Sequence, residues 1–189
     1  MSVMTAPELW LDQDGPFTVD DLESLPDDEF RYELDDGVLI VSPMPSMYHQ
    51  IAVGKLQELL GAACPPGLIV VPGAGINISR FQHRAPDVVV AESSSAPAKY
   101  LEQPPRLVVE VASPRTRLYD RNRKKDVYQG FGIPAYWIVE PDPDRPRLIV
   151  FELRDGKYPE VANVTGDEEF EAKLPFPVTI RPAQLVAVD

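Results

Sequence analysis

The sequence contains one cysteine and two histidines among its 189 residues. The single cysteine, Cys64, excludes an internal disulfide and a cysteine-based zinc site, and two histidines are too few for a zinc site of several histidines. The G-x-S-x-G turn of Ser-His-Asp hydrolases is absent, as are the Walker A loop and the G-x-G-x-x-G motif. The residues therefore give no support to a serine hydrolase, a P-loop nucleotide site or a dinucleotide site.

Long hydrophobic runs are also missing. No apolar stretch approaches the ~18 residues that a membrane helix needs. The first residues, MSVMTAPELWLDQDG, contain no basic region followed by an apolar stretch, so we expect no signal peptide. With one cysteine and no membrane segment, we expect a soluble protein of the reducing cytoplasm.

Basic residues are few, and they are unevenly distributed. The formal net charge is −12, which argues against broad affinity for nucleic acid because phosphate binding needs cations. Residues 8–36 contain twelve acids and one base, Arg31, whereas residues 115–125 (RTRLYDRNRKK) contain six of the 18 lysines and arginines. This basic segment is either a solvated loop and helix face or a local anion-binding edge on an acidic protein.

The length suits one domain over residues 1–189, with a core at about 17–153 and a β-rich tail at 154–189. Asp36-Gly37 and Asp155-Gly156 are hairpin-turn signals. Thr18 and Asp21 resemble a capping box that opens a short helix. Hydrophobic spacing and turn residues predict helices at about 46–63 and 119–131, and strands at 31–41 (a hairpin), 68–71, 75–78, 87–91, 106–112, 135–140 and 147–153. The order predicts a mixed α/β fold, a sheet with helices against it.

Acidic side chains occur where the pattern requires apolar ones. Glu110 lies in the strand LVVEVA and Asp87 opens the strand DVVVA, while Glu33 lies beside hydrophobic residues in RYEL. A buried carboxylate must be paired, protonated or bound to a cation. Each acid alone is consistent with a structural role, but two or three that converge would favour a Mg²⁺ or Mn²⁺ site.

The helix after Glu110 carries a second anomaly. At about 100° per residue, Asp120 and Lys124 share a stripe with Val127, Phe131 and Tyr128, which should face the core. Lys124 either buries its stem with the amine reaching water, or pairs with Asp120, or points at the Glu110 cluster or a bound phosphate. Asp120 and Tyr128 are therefore candidate site-lining residues.

His49 lies on the apolar stripe of the helix at 46–63, together with Val53, Leu56 and Leu60. It is either a core or capping histidine or a residue that lines the site.

Three segments together resemble the bacterial Uma-two family, a restriction-endonuclease-like group related to PD-(D/E)XK nucleases. They are RYELDDGVLIVSPMPSMYHQ, APDVVV and LVVEVASPRTRLYDRNRKKDVYQGFGIPAYWIVEPD, and the resemblance extends from about Phe17 to Leu153. It implies a restriction-endonuclease-like mixed sheet flanked by helices, with a β-rich C-terminal extension.

The resemblance also implies roles. Asp87 of the PD pair resembles the first metal ligand, Glu110 resembles the acid of the E-x-K element, and Glu33 matches an additional acid. By the same analogy, the carbonyl of Val111 is a further ligand. The third position of E-x-K is Ala112 instead of lysine. The family supplies that lysine from the next helix, which matches Lys124, the residue that the helical spacing selects independently.

These residues predict metal-dependent hydrolysis of phosphodiester bonds in nucleic acid. In this hypothesis Asp87 and Glu110, helped by Glu33, hold Mg²⁺ or Mn²⁺, Lys124 orients the attacking water or neutralises charge, and the segment Arg115–Lys125 holds flanking phosphates. The alternatives are a nuclease-like module that binds or regulates without catalysis, and a small-molecule phosphodiesterase. A homodimer formed through the β-rich tail and the Tyr136/Trp137 strand is a further expectation.

Overall fold

The computed structural model describes residues 15–26, 28, 30–113 and 116–188. Its strands are β1 (Arg31–Asp35), β2 (Val38–Ser42), β3 (Leu68–Pro72), β4 (Ile76–Ser79), β5 (Gln82–Arg84), β6 (Val88–Glu92), β7 (Leu107–Val111), β8 (Ala135–Glu140), β9 (Arg147–Glu152), β10 (Glu160–Thr165), β11 (Phe170–Ala172) and β12 (Val178–Ile180). Its helices are α1 (Met47–Ala63), α2 (Arg117–Tyr119) and α3 (Lys125–Phe131), with a π-helical turn at Asp120–Lys124 and short 3-10 helices at Asp21–Ser24, Ser93–Ser95 and Pro182–Leu185.

A six-stranded sheet in the order β10-β9-β8-β7-β6-β3 forms the centre of the molecule. Only β7 and β8 pair in parallel within it; the other neighbours are antiparallel. Two parallel strands need a crossover connection, and here α2, the π-helical turn and α3 provide it. The helical crossover therefore begins just beyond the end of β7, next to Glu110.

Both faces of this sheet are covered, as the continuous apolar sequences of β6 and β7 predict. On one face, Val88 and Val109 pack with Leu56 of α1 and with Phe176 and Leu185 of the C-terminal segment. The segment after Leu153 thus contributes to the main core, and β10 extends the central sheet itself.

The opposite face packs against the crossover helix. Val89 of β6 and Val108 of β7 pack there in one cluster with Tyr128, Tyr136 and Tyr158. Because side chains alternate along a strand, Asp87 and Glu110 belong to this second face as well. A carboxylate on β7 therefore lies beneath the crossover helix.

A second, smaller sheet has the order β2-β1-β5-β4, and its strand β1 carries Glu33. Its β1–β2 hairpin turns at Asp36-Gly37, where φ is +50° and +80°, values that the predicted Asp-Gly turn accommodates. Strand β5 was not predicted, because three polar residues (QHR) give no alternating signal. Gln82 and His83 are nevertheless buried through the pairing of β5 with β1 and β4.

The predicted mixed α/β fold is confirmed, and so are the helix at 46–63 and five of the six strands of the central sheet, to within one or two residues; β10 was predicted only as part of a β-rich tail. The expectation that the Tyr136/Trp137 strand forms a dimer contact is wrong. Strand β8 is an interior strand of the sheet, and both aromatic side chains are fully buried within the chain. In the described part of the chain, no helix is both long and apolar enough to cross a membrane.

Candidate active site

Asp87 and Glu110 come together because β6 and β7 are antiparallel neighbours. The pairing of Val88 with Val109 brings the residue before β6 level with Glu110. The backbone N–H of Val111 donates a hydrogen bond of 2.7 Å to Asp87 Oδ2. The two acids that the sequence singled out are thus adjacent, although 23 positions separate them in the chain.

Two cationic or polar side chains complete the surroundings of Asp87. Arg31 Nη1 donates to Asp87 Oδ1 at 2.7 Å, and His49 Nε2 lies 3.3 Å from Asp87 Oδ2. Burial alone would raise the pKa of Asp87, but the hydrogen bond with His49 and the charge of Arg31 outweigh it and lower the pKa. His49, one of the candidate site-lining residues, therefore lies beside Asp87, as does Arg31, which was not predicted as a site residue.

Lys124 contacts three acids at once. Its Nζ lies 2.9 Å from Glu110 Oε1, 3.3 Å from Glu33 Oε1 and 3.7 Å from Asp120 Oδ1, and its side chain is 4% exposed. The hydroxyl of Tyr128 donates a hydrogen bond of 2.6 Å to Glu110 Oε1. The structure therefore brings together every side chain that the sequence proposed for the site.

The electrostatics of this buried cluster are unbalanced. Burial raises the pKa of Glu110 to about 8; Lys124 opposes this rise, and the charges of Asp87, Asp120 and Glu33 add to it. For Glu33, Lys124 and Arg31 outweigh burial and lower the pKa. The basic side chains of the cluster therefore offset its acidic charge only in part.

Lys124 ends a π-helical turn, Asp120–Lys124, that lies between α2 and α3. Both end residues of this turn are buried, Asp120 to 2% exposure and Lys124 to 3%. The Asp120 carbonyl accepts a hydrogen bond of 3.0 Å from the hydroxyl of Tyr136. Single π turns inside helices often occur at functional sites. Hydrophobic spacing predicts a regular helix at 119–131 and gives no sign of this irregularity.

Most of the basic segment is paired within the chain. Arg121 donates to Glu140 at 2.9 Å, and Arg123 Nε donates to Asp35 at 2.9 Å. Lys125 lies over the ring of Phe151. These three bases thus have partners within the chain and Lys124 is buried, while Arg115 lies outside the described residues; that the segment Arg115–Lys125 holds flanking phosphates stays a prediction.

A second polar network connects the small sheet to the crossover helix. Asp35 accepts hydrogen bonds from Arg84, Arg123, Tyr119 and Gln82 at 2.7–3.1 Å. Burial would raise the pKa of Asp35, but the bonds from Arg123 and Gln82 and the charge of Arg84 lower it. This network fixes the helix that carries Lys124 against the strand that carries Glu33. No sequence periodicity indicates these pairs, because their partners are distant in the chain.

A pocket of about 740 Å³ lies beside this cluster. All three groups bonded to the Asp87 carboxylate, namely Arg31, His49 and Val111, line it. Further lining residues include Tyr48, Arg117 and Arg145. A molecule in the pocket therefore lies next to the groups that contact Asp87.

The donor chemistry of the cluster fits a hard divalent cation. Asp87 and Glu110 offer carboxylate oxygens, Val111 offers a carbonyl, and such oxygens suit Mg²⁺ and Mn²⁺. Within the described residues, however, no three acids, histidines or cysteines are grouped as a ready metal site. The reason is visible, because Lys124 and Arg31 occupy the positions next to Glu110 and Asp87. An ion that binds here must either displace these side chains from the carboxylates or bind the same carboxylates beside them.

Comparisons with known proteins agree with the fold. A family model, Uma2, described as "Putative restriction endonuclease", matches residues 19–186. The chain is also similar to a crystal structure titled as a "putative nuclease belonging to DUF820" from Anabaena variabilis ATCC 29413. The TM-score is 0.70 and the identity 19%, over 90% of this chain and 98% of that one. Among curated proteins, none matches the sequence significantly. The predicted restriction-endonuclease-like fold is thereby confirmed.

Proposed function

The chain belongs to the Uma2 family, and from this premise we propose that it is a nuclease that hydrolyses phosphodiester bonds with a divalent metal ion. Proteins of the restriction-endonuclease-like type generally use such ions. The observation that carries the proposal is the pocket, because the three partners of the buried Asp87 carboxylate form part of its lining. A phosphate in the pocket would lie next to Arg31 and His49, two of the side chains that contact Asp87.

Asp87, Glu110 and the Val111 carbonyl would hold Mg²⁺ or Mn²⁺. When bound, the ion would lower the pKa of a water and stabilise negative charge on the phosphate. Arg31 is the side chain that can move away, since 36% of its side-chain surface is exposed, whereas only 5% of the Asp87 side chain is exposed. Released from Asp87, the Arg31 guanidinium is free to bind a phosphate oxygen.

Lys124 would supply a fixed positive charge. Burial would lower its pKa, but Glu110, Glu33 and Asp120 outweigh burial and raise it, so the amine keeps its proton at neutral pH. A charged donor held in a buried site needs no reorganisation during the reaction. Its task is to orient the attacking water or to neutralise charge that develops on the phosphate. Glu33 and Asp120 position the amine through their ion pairs.

A second candidate function is a nuclease-like module that binds without catalysis. It is favoured by the mutual pairing of the cluster, in which Lys124 contacts three acids and Arg31 binds Asp87. Ala112 at the E-x-K lysine position points the same way. The two candidates differ in one measurable property, which is the affinity of the cluster for a divalent ion.

The test begins with calorimetry. Mn²⁺ titrated into the wild-type protein should bind once per chain, and an Asp87→Asn, Glu110→Gln double variant should not bind it. The matched control is Glu171→Gln, an acid on β11 outside the cluster. Absence of Mn²⁺ binding by the wild type would reject the metal-dependent enzyme and leave the binding module.

Cleavage assays with Mg²⁺ or Mn²⁺ on labelled DNA and RNA then test catalysis. Removing one preorganised donor from an active site typically lowers kcat about 10²–10³-fold, and we expect a loss of this size for Lys124→Gln. Equal cleavage by the wild type and by the double variant would reject the proposed site. Faster turnover of a small phosphodiester than of any oligonucleotide would favour a small-molecule phosphodiesterase. A cytoplasmic location and a homodimer stay predictions.

A further inference from the structure

The pocket beside Asp87 is locally basic on an acidic protein. Four arginines and two acids line it, Arg31, Arg117, Arg145 and Arg147 against Glu140 and Asp142, while the whole chain has a net charge of −12. A basic concavity on an otherwise acidic surface concentrates anions there and repels them elsewhere.

Three of these arginines have donors to spare. Arg145 is exposed, and its side chain has no ion-pair partner among the residues that the structure describes. Arg117 Nε approaches Glu140 only to 4.0 Å, because Arg121 already donates to that carboxylate at 2.9 Å. Arg147 uses Nε on Asn163, which leaves its terminal nitrogens. These guanidinium groups suit phosphate oxygens.

One wall of the pocket is apolar and includes an aromatic ring. Pro43, Met44 and Pro45 lead into Tyr48 at the start of α1, and all four line the pocket. Met44 is 66% exposed and Tyr48 38% exposed. Aromatic rings beside a basic groove are the usual platform on which unpaired bases stack.

The size and depth of the pocket discriminate between nucleic-acid forms. A volume of about 740 Å³ lies in the range of about 300–1,000 Å³ typical of small-ligand pockets, so it suits one or two nucleotides. Asp87 and Glu110 are only 6% and 2% exposed behind it. A stacked duplex keeps its bases paired inside the helix, whereas an unpaired strand can turn a base and its phosphate into such a recess.

We propose that this pocket binds an unpaired nucleic-acid strand, an inference that rests on the proposed function. Arg117, Arg145 and Arg147 bind its phosphates, and a base stacks on Tyr48. The substrate class is thus single-stranded nucleic acid, or the unpaired end or loop of a longer molecule, and not an intact duplex.

A binding assay without divalent ions, in which no cleavage takes place, tests this proposal directly. Fluorescence anisotropy in EDTA compares a short labelled oligonucleotide with the duplex of the same sequence and with the mononucleotide. The single strand should bind at least about tenfold more tightly than either. Three phosphate contacts give a slope of log K against log salt of about −2, since each contributes about 0.7 for single strands. Equal or tighter binding of the duplex, or of the mononucleotide, would overturn the proposal.

Variants locate the binding to the pocket. Arg145→Ala should flatten the salt slope by about 0.7, whereas Arg181→Ala, an exposed arginine that does not line the pocket, should leave it unchanged. Tyr48→Ala should weaken the single strand about tenfold and Tyr48→Phe should retain it, since stacking needs only the ring. Equal slopes for the two arginine variants, or equal affinities for the two tyrosine variants, would overturn the proposal.

A parallel Mn²⁺ cleavage assay separates the two failures. Single-strand binding without cleavage of any substrate would reject the nuclease function and retain this inference. Cleavage of duplex and single strand at equal rates would reject the inference and retain the nuclease function.

Discussion

Replacing Lys124 by methionine tests the cluster at its most consequential contact. Methionine keeps most of the side-chain volume and removes the amine, which now lies 2.9 Å from Glu110, 3.3 Å from Glu33 and 3.7 Å from Asp120. The three acids are 2% exposed each, so water cannot replace the lost charge. The variant therefore leaves uncompensated carboxylates in the protein interior.

The expected loss follows from this burial. Breaking a buried ion pair by removing one partner costs about 3–5 kcal/mol. Lys124 also helps to lower the pKa of Glu33, so its removal makes the charged form of that carboxyl less stable. We therefore expect a loss of about 3–5 kcal/mol in the free energy of unfolding.

Urea unfolding at pH 7.5 without divalent ions measures this loss. The control is Lys173→Met, an exposed lysine, which should change the free energy of unfolding by less than about 0.5 kcal/mol. Adding Glu33→Gln to Lys124→Met removes one unpaired charge and should recover about 1–2 kcal/mol. A Lys124→Met variant within about 1 kcal/mol of the wild type, or no recovery in the double variant, would refute the electrostatic account of the cluster.

Three further predictions concern other parts of the chain. Burial lowers the pKa of His83 from 6.5 to about 4, so the unfolded chain gains a proton before the folded chain does as the pH falls. The free energy of unfolding should therefore fall by up to about 3 kcal/mol from pH 6.5 to pH 4. In acid titrations followed by urea unfolding, His83→Gln should remove that part of the fall. A Cβ on Gly75 would lie 2.7 Å from the ring of Tyr100, so Gly75→Ala should lose about 1–3 kcal/mol, whereas Gly54→Ala, in open space on α1, should gain up to about 1 kcal/mol in the same assay. Arg31→Gln frees Asp87 and should raise Mn²⁺ affinity several-fold in calorimetry; weaker binding would contradict the displacement of Arg31 by the ion.

The sequence predicts those site residues that break a pattern. Glu110 among valines and Lys124 on a core-facing stripe are conspicuous because burial requires each of them to have a partner. The strands of the central sheet are predicted for the same reason, since fully buried strands are apolar on both faces. Local patterns therefore identify which charges are buried, even where they do not identify the partner.

Partner choice is what local patterns miss. Arg31 and Asp87 are 56 residues apart, and Arg123 and Asp35 are 88 apart. Nothing near Arg31 in sequence distinguishes a site residue from a surface arginine, except that it is the single base among the twelve acids of residues 8–36. That isolation is a usable signal, because a lone base in an acidic segment has acids nearby in the fold.

The crossover helix shows how a correct site residue can follow from an incomplete local picture. Regular α-helical spacing placed Val127 and Phe131 at the centre of the buried stripe, with Tyr128 at its edge. In the structure Tyr128 is fully buried, while Val127 and Phe131 are partly exposed. The π-helical turn Asp120–Lys124 precedes α3 and changes the rotation between the residues on either side of it, and Asp120, Lys124 and Tyr128 are all buried. The irregular turn thus exchanges apolar contacts for a polar row directed at Glu110, which is the exchange expected where a fold gives up local regularity for a functional site.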